Sequence, residues 1–290
     1  MTRRKNMGRK NIAWLAPLLL GAASAPAFGQ PAPSPAGTAS ASMSGLTYAD
    51  LVSLSEAAPL VLRAEVVSQA VVKPERAPGL RPGFARLYVE AKTQTLLSGD
   101  TPVGESLRYL VDVPVDAKGR PPKLKKRQVF LFARSGQRPG EIQLIDPHAQ
   151  LAYSPELEAR LRPVLGQLAA ADKPPVVTGI RDALSVAGNL AGESETQIFL
   201  DTASGDPVSA TVVRRPGQRP QWGVSWSELV DQSARPPQPE TLGWYRLACT
   251  LPPRLPDEAN LARNSASRTR AAEDYAYILQ QLGPCPRTRR

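Results

Sequence analysis

The period of the apolar positions changes several times along this chain, and the changes divide it. In "LTYADLVSLSEAAP", residues 46–59, Leu51, Leu54 and Ala58 recur at helical spacing behind Thr47, a residue type that caps helices. The stretch 60–72, "LVLRAEVVSQAVV", is β-branched and partly alternating. From 84 to 97, Ala85, Leu87, Val89 and Ala91 alternate with Arg86, Tyr88, Glu90 and Lys92, the signature of an antiparallel strand with one wet face. "ESLRYLVDVPV", "QVFLFAR" and "EIQLID" continue the pattern between Pro/Gly-rich turns. Five or six strands in so short a stretch predict a small barrel or a curled sheet. A helix then follows over 154–172, with Ser154 as its cap, Pro155 in the first position and Leu157, Leu161, Val164, Leu165 and Leu168 as its stripe. Pro163 should kink it or split it in two.

A boundary is expected near "DKPP", 172–175, because a fresh β pattern begins beyond it. "VVTGIRDALSVAGNLAGES" fits no period cleanly. "ETQIFLDT", "VSATVVRR" and "QWGVSWS" then form a meander joined by "ASGDP" and "PGQRP", with Trp222, Val224 and Trp226 on one face. "PETLGWYRLACTL" reads as a helix entered through Pro239. "RTRAAEDYAYILQQLG" reads as a longer one, with Ala271, Tyr275, Ile278 and Leu282 as its stripe and Gly283 as its stop. The expected class is α+β. A small β-barrel-like domain with flanking helices, 46–172, precedes a second domain, 176–290, in which a three-stranded antiparallel meander is packed by two helices.

The front of the chain changes the reading of its charge. "MTRRKNMGRKN" carries five basic residues and no acid, "IAWLAPLLLGAA" is an apolar run of twelve, and "SAPAFGQ" supplies small residues for a cut near Gly29. This is the order of a secretory signal peptide over 1–29, too short for a membrane span. The Pro/Ala/Ser-rich stretch 30–45 reads as a disordered tether. The whole chain has 36 basic and 26 acidic residues, a net +10; without the leader 31 face 26, leaving +5. Much of the apparent affinity for nucleic acid goes with the leader, and the expected location is periplasmic or secreted.

Export also gives the cysteines a role. Cys249 and Cys285 are the two in the chain, and an oxidising compartment favours one bridge between them. Closing that loop of about 36 residues stabilises by roughly 3–4 kcal/mol in the chain-entropy treatment. The bridge would clamp the last helix beside its predecessor.

Chemistry is sparse. His148 is the one histidine, so histidine metal sites are not expected, and neither a G-x-S-x-G nor an S-x-x-K frames a serine nucleophile. Phosphate loops and calcium loops are missing too, and no cofactor is expected. After Asp146 and Pro147, His148 reads as a turn residue. Glu193 and Glu195 are the closest carboxylate pair and could serve a general-acid mechanism or simply be solvated. Trp222, Trp226, Trp244 and Tyr245 could line a glycan platform, although their spacing already accounts for them as core. The basic stretch "KGRPPKLKKR" places Lys118, Arg120, Lys123, Lys125, Lys126 and Arg127 together without an acid. Those six could contact an anionic surface or an acidic cell-envelope protein, or form a solvated loop. Nucleic acid is not an expected partner, because no aromatic residues interleave the cations.

"GESETQIFLDTASGDPVSATVVRRPG" and "LGWYRLACTLP" resemble a group of uncharacterised secreted proteins from sphingomonad-type alphaproteobacteria. The first half, about 46–170, resembles the OB-like module of tissue-inhibitor and netrin-type domains through "APLVLRAEVV", "RLYVEAKTQTLLSG" and "QVFLFAR" before a helix. That resemblance implies an OB-like fold. It implies no inhibitory residues, because those modules use an N-terminal cysteine and several disulfides, and this half has no cysteine. The sequence as a whole points to a non-catalytic periplasmic or secreted binding or scaffold protein. The alternative is a carboxylate-based cell-envelope hydrolase acting on glycans. Oligomeric state is left open.

Overall fold

The structure, a computed structural model, describes residues 45–227 and 234–289. The leader and all but the last residue of the tether lie outside the described residues. The chain is mixed α+β, with two antiparallel sheets and a set of helices packed against them.

The first sheet holds β1 (Leu60–Val71), β2 (Phe84–Ser98), β3 (Ser106–Pro114), β4 (Gln128–Ser135), β5 (Ile142–Leu144) and β6 (Gln150–Ala152). Its order is β3-β2-β1-β4-β5, with β6 also pairing β4. The period-2 pattern places Leu87 and Leu107 among the fully buried side chains, while β4 is buried on both faces, with Phe130 and Leu131 both fully enclosed. Irregularities in the β1–β2 register at Val61/Leu62, Arg63/Ala64 and Val66/Ser68 add local twist. The sheet curls until its edges meet. Arg108 N–H donates to the Gly140 carbonyl at 2.8 Å and Asp112 N–H to the Pro147 carbonyl at 2.8 Å. Two such bonds make a partly open, barrel-like sheet rather than one closed by a continuous ladder.

Helix α1 (Tyr48–Ala57) starts at a capping box: Thr47 Oγ1 accepts from Asp50 N–H, and Asp50 accepts from Thr47 N–H. Helix α2 (Pro155–Ala169) is capped by Ser154 and runs unbroken through Pro163, so the expected split is corrected to one helix. Pro163 and Ala159 are both exposed, so the carbonyl that proline leaves without a donor can bond to water.

The second sheet holds β7 (Val177–Ala187), β8 (Ser194–Thr202), β9 (Val208–Arg214) and β10 (Gln221–Ser225), in the order β10-β9-β8-β7. The three expected strands are present, and β7, from the stretch without a clean period, adds a fourth. Register shifts at Val177/Gly179 and Ile180/Asp182 break its alternation, which explains why no period could be read there. The outer edge of β7 is met by Ala259 and Leu261, whose backbones bond to Ala183 at 2.7 and 2.9 Å. At β10, a Cβ on Gly223 would sit 2.0 Å from the Ala234 carbonyl oxygen, so only glycine lets that segment approach.

Helix α3 (Leu242–Ala248) is shorter than expected. Pro239 lies outside it, Glu240 takes a positive φ of 57°, and Thr241 caps the true start. Helix α4 (Ser265–Leu282) covers the second sheet, setting Ala271, Tyr275 and Ile278 against the apolar inner face, and ends at Gly283 with φ 70°.

Cys249 caps α3 and is bonded to Cys285 beyond α4, with Cα atoms 5.1 Å apart. The clamp does more than hold the last helix. From Cys285 the tail returns to α1, where buried Asp50 accepts Thr288 N–H, Thr288 Oγ1–H at 2.6 Å and Arg289 N–H. Arg287 donates to Ser53 Oγ at 2.6 Å, and buried Arg246 pairs with Glu56 at 2.5 Å. Helices α1, α3 and α4 and the tail are thus tied together.

Candidate functional site

A concavity of about 1060 Å³ runs along the open face of β2 and β3. The connection after β1, with Lys73 and Arg76, bounds one side; the connection between β4 and β5, from Ser135 to Glu141, bounds the other. Strand alternation supplies the floor. Tyr88 lies across from Ala70 and Leu110, and Arg86 across from Asp112. Tyr88 and Leu110 are 40% and 47% exposed, neighbouring side chains turned to water on one sheet face, and Val71, 58% exposed at the end of β1, borders the same cavity.

The polar groups of this cavity are largely engaged. Asp112 takes both arms of Arg86, at 2.7 and 2.8 Å, and Arg86 also donates to the Pro78 carbonyl, tying the β1–β2 connection to the floor. Asp146 accepts from His148 N–H at 2.7 Å and from Arg289 at 3.1 Å. Glu141 lies 3.7 Å from Arg138, the loosest of the three acids. Tyr109 is buried and donates to Gln150 Oε1 at 2.7 Å; burial pushes its phenol well above the ordinary range, so it stays protonated. Among the described residues, Lys73 and Arg76 have no acidic partner.

His148 stands at the rim as a turn residue. Arg81 donates to its Nε2, so Nδ1 carries the proton and donates to the Asp112 carbonyl at 3.0 Å. Its ring tilts against Phe84 at 5.1 Å. Among the described residues no serine or threonine hydroxyl bonds to it, and its ring is held instead by Arg81 and the Asp112 carbonyl.

Other residues singled out in the sequence fall elsewhere. Glu193 accepts Asn189 and Leu190 N–H at 3.1 and 3.2 Å, closing its own turn, and Glu195 accepts from Gln197 at 3.0 Å. Neither lines the cavity. Trp222, Trp244 and Tyr245 are buried and Trp226 half-buried, so they pack the core; Trp244 Nε1 donates to the Leu282 carbonyl at 2.8 Å.

The six cations divide into two groups. Lys118 and Arg120 sit on a turn folded around Asp116, whose carboxylate accepts both of their backbone N–H groups. Lys123, Lys126 and Arg127 line a second hollow of about 560 Å³ with Gln128, Gln150 and Tyr153; Lys125 is exposed beside them. Among the described residues none of the six pairs with an acid. No group of three or more metal-ligating side chains is present among the described residues.

The signal that could have found the cavity was the outward set Arg86, Tyr88, Leu110 and Asp112. Their alternation is legible, but their adjacency depends on pairing across 26 residues between Arg86 and Asp112. The chain matches no protein-family model and no curated protein. The disulfide is compatible with an extracytoplasmic location, and among the described residues no helix is long and apolar enough to cross a membrane.

Proposed function

We propose that this chain is a non-catalytic, extracytoplasmic binding protein that receives a partner along the open face of β2 and β3. The observation that carries this reading is the occupancy of the acids in the 1060 Å³ cavity. Carboxylate hydrolysis needs two available carboxyl groups, one protonated and one not. Here Asp112 is filled by the Arg86 fork and Asp146 by Arg289 and His148 N–H, leaving only Glu141 loosely held. The rest of the cavity suits contact: exposed Tyr88 and Leu110 on its floor and Val71 at its border, beside Lys73 and Arg76, which have no acidic partner among the described residues. That combination fits an acidic, partly apolar segment of a cell-envelope protein. The OB-like module that the first half resembles supports the same reading, because such folds bind ligands along strands 2 and 3 between flanking loops. A periplasmic address, with the leader cut near Gly29 and 30–45 as a tether, belongs to this proposal.

The test is a photo-crosslinking residue at Leu110, with Leu184 on the second sheet as the control, in cells of the native envelope. A repeatable adduct from Leu110 and none from Leu184 supports the reading. Turnover of a cell-wall glycan, abolished by Glu141→Gln, overturns it in favour of the hydrolase.

A further inference from the structure

The second hollow has features of its own that a merely solvated loop does not explain. The turn that carries its cations is held rigidly against β1. Gln69 Nε2 donates to the Pro122 carbonyl at 2.9 Å while Gln69 Oε1 accepts Leu124 N–H at 2.5 Å. Lys126 N–H bonds to the Val66 carbonyl at 2.8 Å, Val66 N–H to the Arg127 carbonyl at 2.9 Å, and Arg127 N–H closes the turn on Leu124 at 2.8 Å. Within that turn Lys126 has φ 65°, one of two non-glycine residues at positive φ among the described residues. Glycine or asparagine is the usual occupant of such a position, because Cβ is penalised there. A lysine held in this conformation fixes the direction of its side chain at a conformational cost, a pattern that concentrates at ligand sites.

The wall of the hollow has a specific chemistry. Lys123, Lys126 and Arg127 bring three cations to one concavity, and among the described residues no acid pairs with them. Arg127 offers a planar fork and the lysines point charges, the combination that recognises phosphate. Beside them stand the carboxamides of Gln128 and Gln150 and the ring of Tyr153. Gln150 Oε1 is already taken by Tyr109, so its side chain presents N–H donors. Donors and an aromatic ring next to a cationic cluster suit hydroxyl groups on a ring-shaped carrier. The volume of about 560 Å³ lies within the range of small-ligand sites.

We propose that the hollow under the 122–127 turn binds a phosphate monoester carried on a sugar, held by Lys123, Lys126 and Arg127. This site is separate from the cavity on β2 and β3, and its failure would leave that reading standing. The phosphosugar could be free or form the headgroup of a glycolipid; the chemistry recognised is the same.

Calorimetric titration of the full chain with glucose 6-phosphate, inorganic phosphate and glucose, at physiological salt, tests it. Glucose 6-phosphate should bind more tightly than phosphate, and glucose should not bind. Arg127→Gln should weaken glucose 6-phosphate by about tenfold or more, the value of one charge-assisted hydrogen bond. Lys126→Gly should weaken it similarly while raising the melting temperature, because glycine relieves the left-handed turn. Arg120→Gln, outside the hollow, should change neither. Flotation with vesicles carrying a phosphorylated glycolipid, against vesicles carrying phosphatidylglycerol, separates the sources. Capture by the glycolipid alone points to the membrane-borne form, and no capture points to the free one. Equal binding to both vesicle types, no heat with glucose 6-phosphate, or a Lys126→Gly protein that gains stability without losing affinity would each overturn the proposal.

Discussion

The two sheets treat their polar groups in opposite ways. Beneath α4, Asp274 is completely buried, accepting Thr196 Oγ1–H at 2.5 Å and Arg214 Nε–H at 2.6 Å, and Thr196 is bonded in turn to Ser185. These groups are enclosed and satisfied, and no ligand could reach them without unpacking the helix. On the open face of β2 and β3 the ionic clasp between Arg86 and Asp112 borders a cavity, and apolar Tyr88 and Leu110 are left in water. Burying a charge demands that its partners be fixed, whereas a contact surface demands that they be reachable. The second sheet therefore reads as support, and the first as the working face.

Breaking the support should have the largest effect. Asp274→Ala leaves Arg214 without its partner and Thr196 without its acceptor, and truncating a buried pair of this kind costs roughly 3–5 kcal/mol. Urea unfolding should show it, and the same change at exposed Glu273 should cost about 0.5 kcal/mol or less.

Cys249→Ser should come next, at roughly 3 kcal/mol from the lost loop constraint. Hydrogen exchange would show the tail and α4 loosening before the first sheet does. Thiol titration of the wild-type chain in denaturant without reductant should find no free thiol.

Asp50 links the two regions and sets a pH dependence. Burial raises its pKa, but the bonds from Thr288, from Thr47 N–H and from Arg289 N–H outweigh that and bring it from 3.8 down to about 2. A carboxyl whose folded pKa lies below its unfolded value stabilises the fold when ionised. The contribution, about 2 kcal/mol, is whole above pH ~4 and disappears as the pH falls toward ~2. Asp50→Asn should flatten the stability profile in that window, measured by thermal unfolding from pH 2 to 5. Because the tail and helices cross from one half to the other, limited proteolysis near 172–176 should give pieces of about 45–172 and 176–290 that still elute together.

The smallest stability effect, and the most informative about function, is expected on the open face. Leu110→Asp changes a side chain that is 47% exposed and should shift stability by no more than about 0.5 kcal/mol, while removing the partner adduct. A large loss of stability would mean that the face is part of the core after all.

Local rules determined much of this molecule. Thr47, Ser154 and Gly283 mark helix ends because capping chemistry acts within a few residues. The alternation over 84–97 gives β2 and its wet side because side-chain direction in a strand follows from position alone. The pairing of Cys249 with Cys285 needed only a count of two. Where the chain departs from its period the sequence was mute: the bulges of β7 hid a strand, and the positive φ at Glu240 shortened a helix. What tertiary structure alone decided was company. That Arg86 holds Asp112, that Asp50 receives the tail from Thr288 and Arg289, and that Lys123, Lys126 and Arg127 share one hollow while Lys118 and Arg120 turn around Asp116 all depend on which strands pair and how tightly the sheet curls. Those outcomes are set by burial summed over the whole chain, to which every strand contributes and which no short stretch contains.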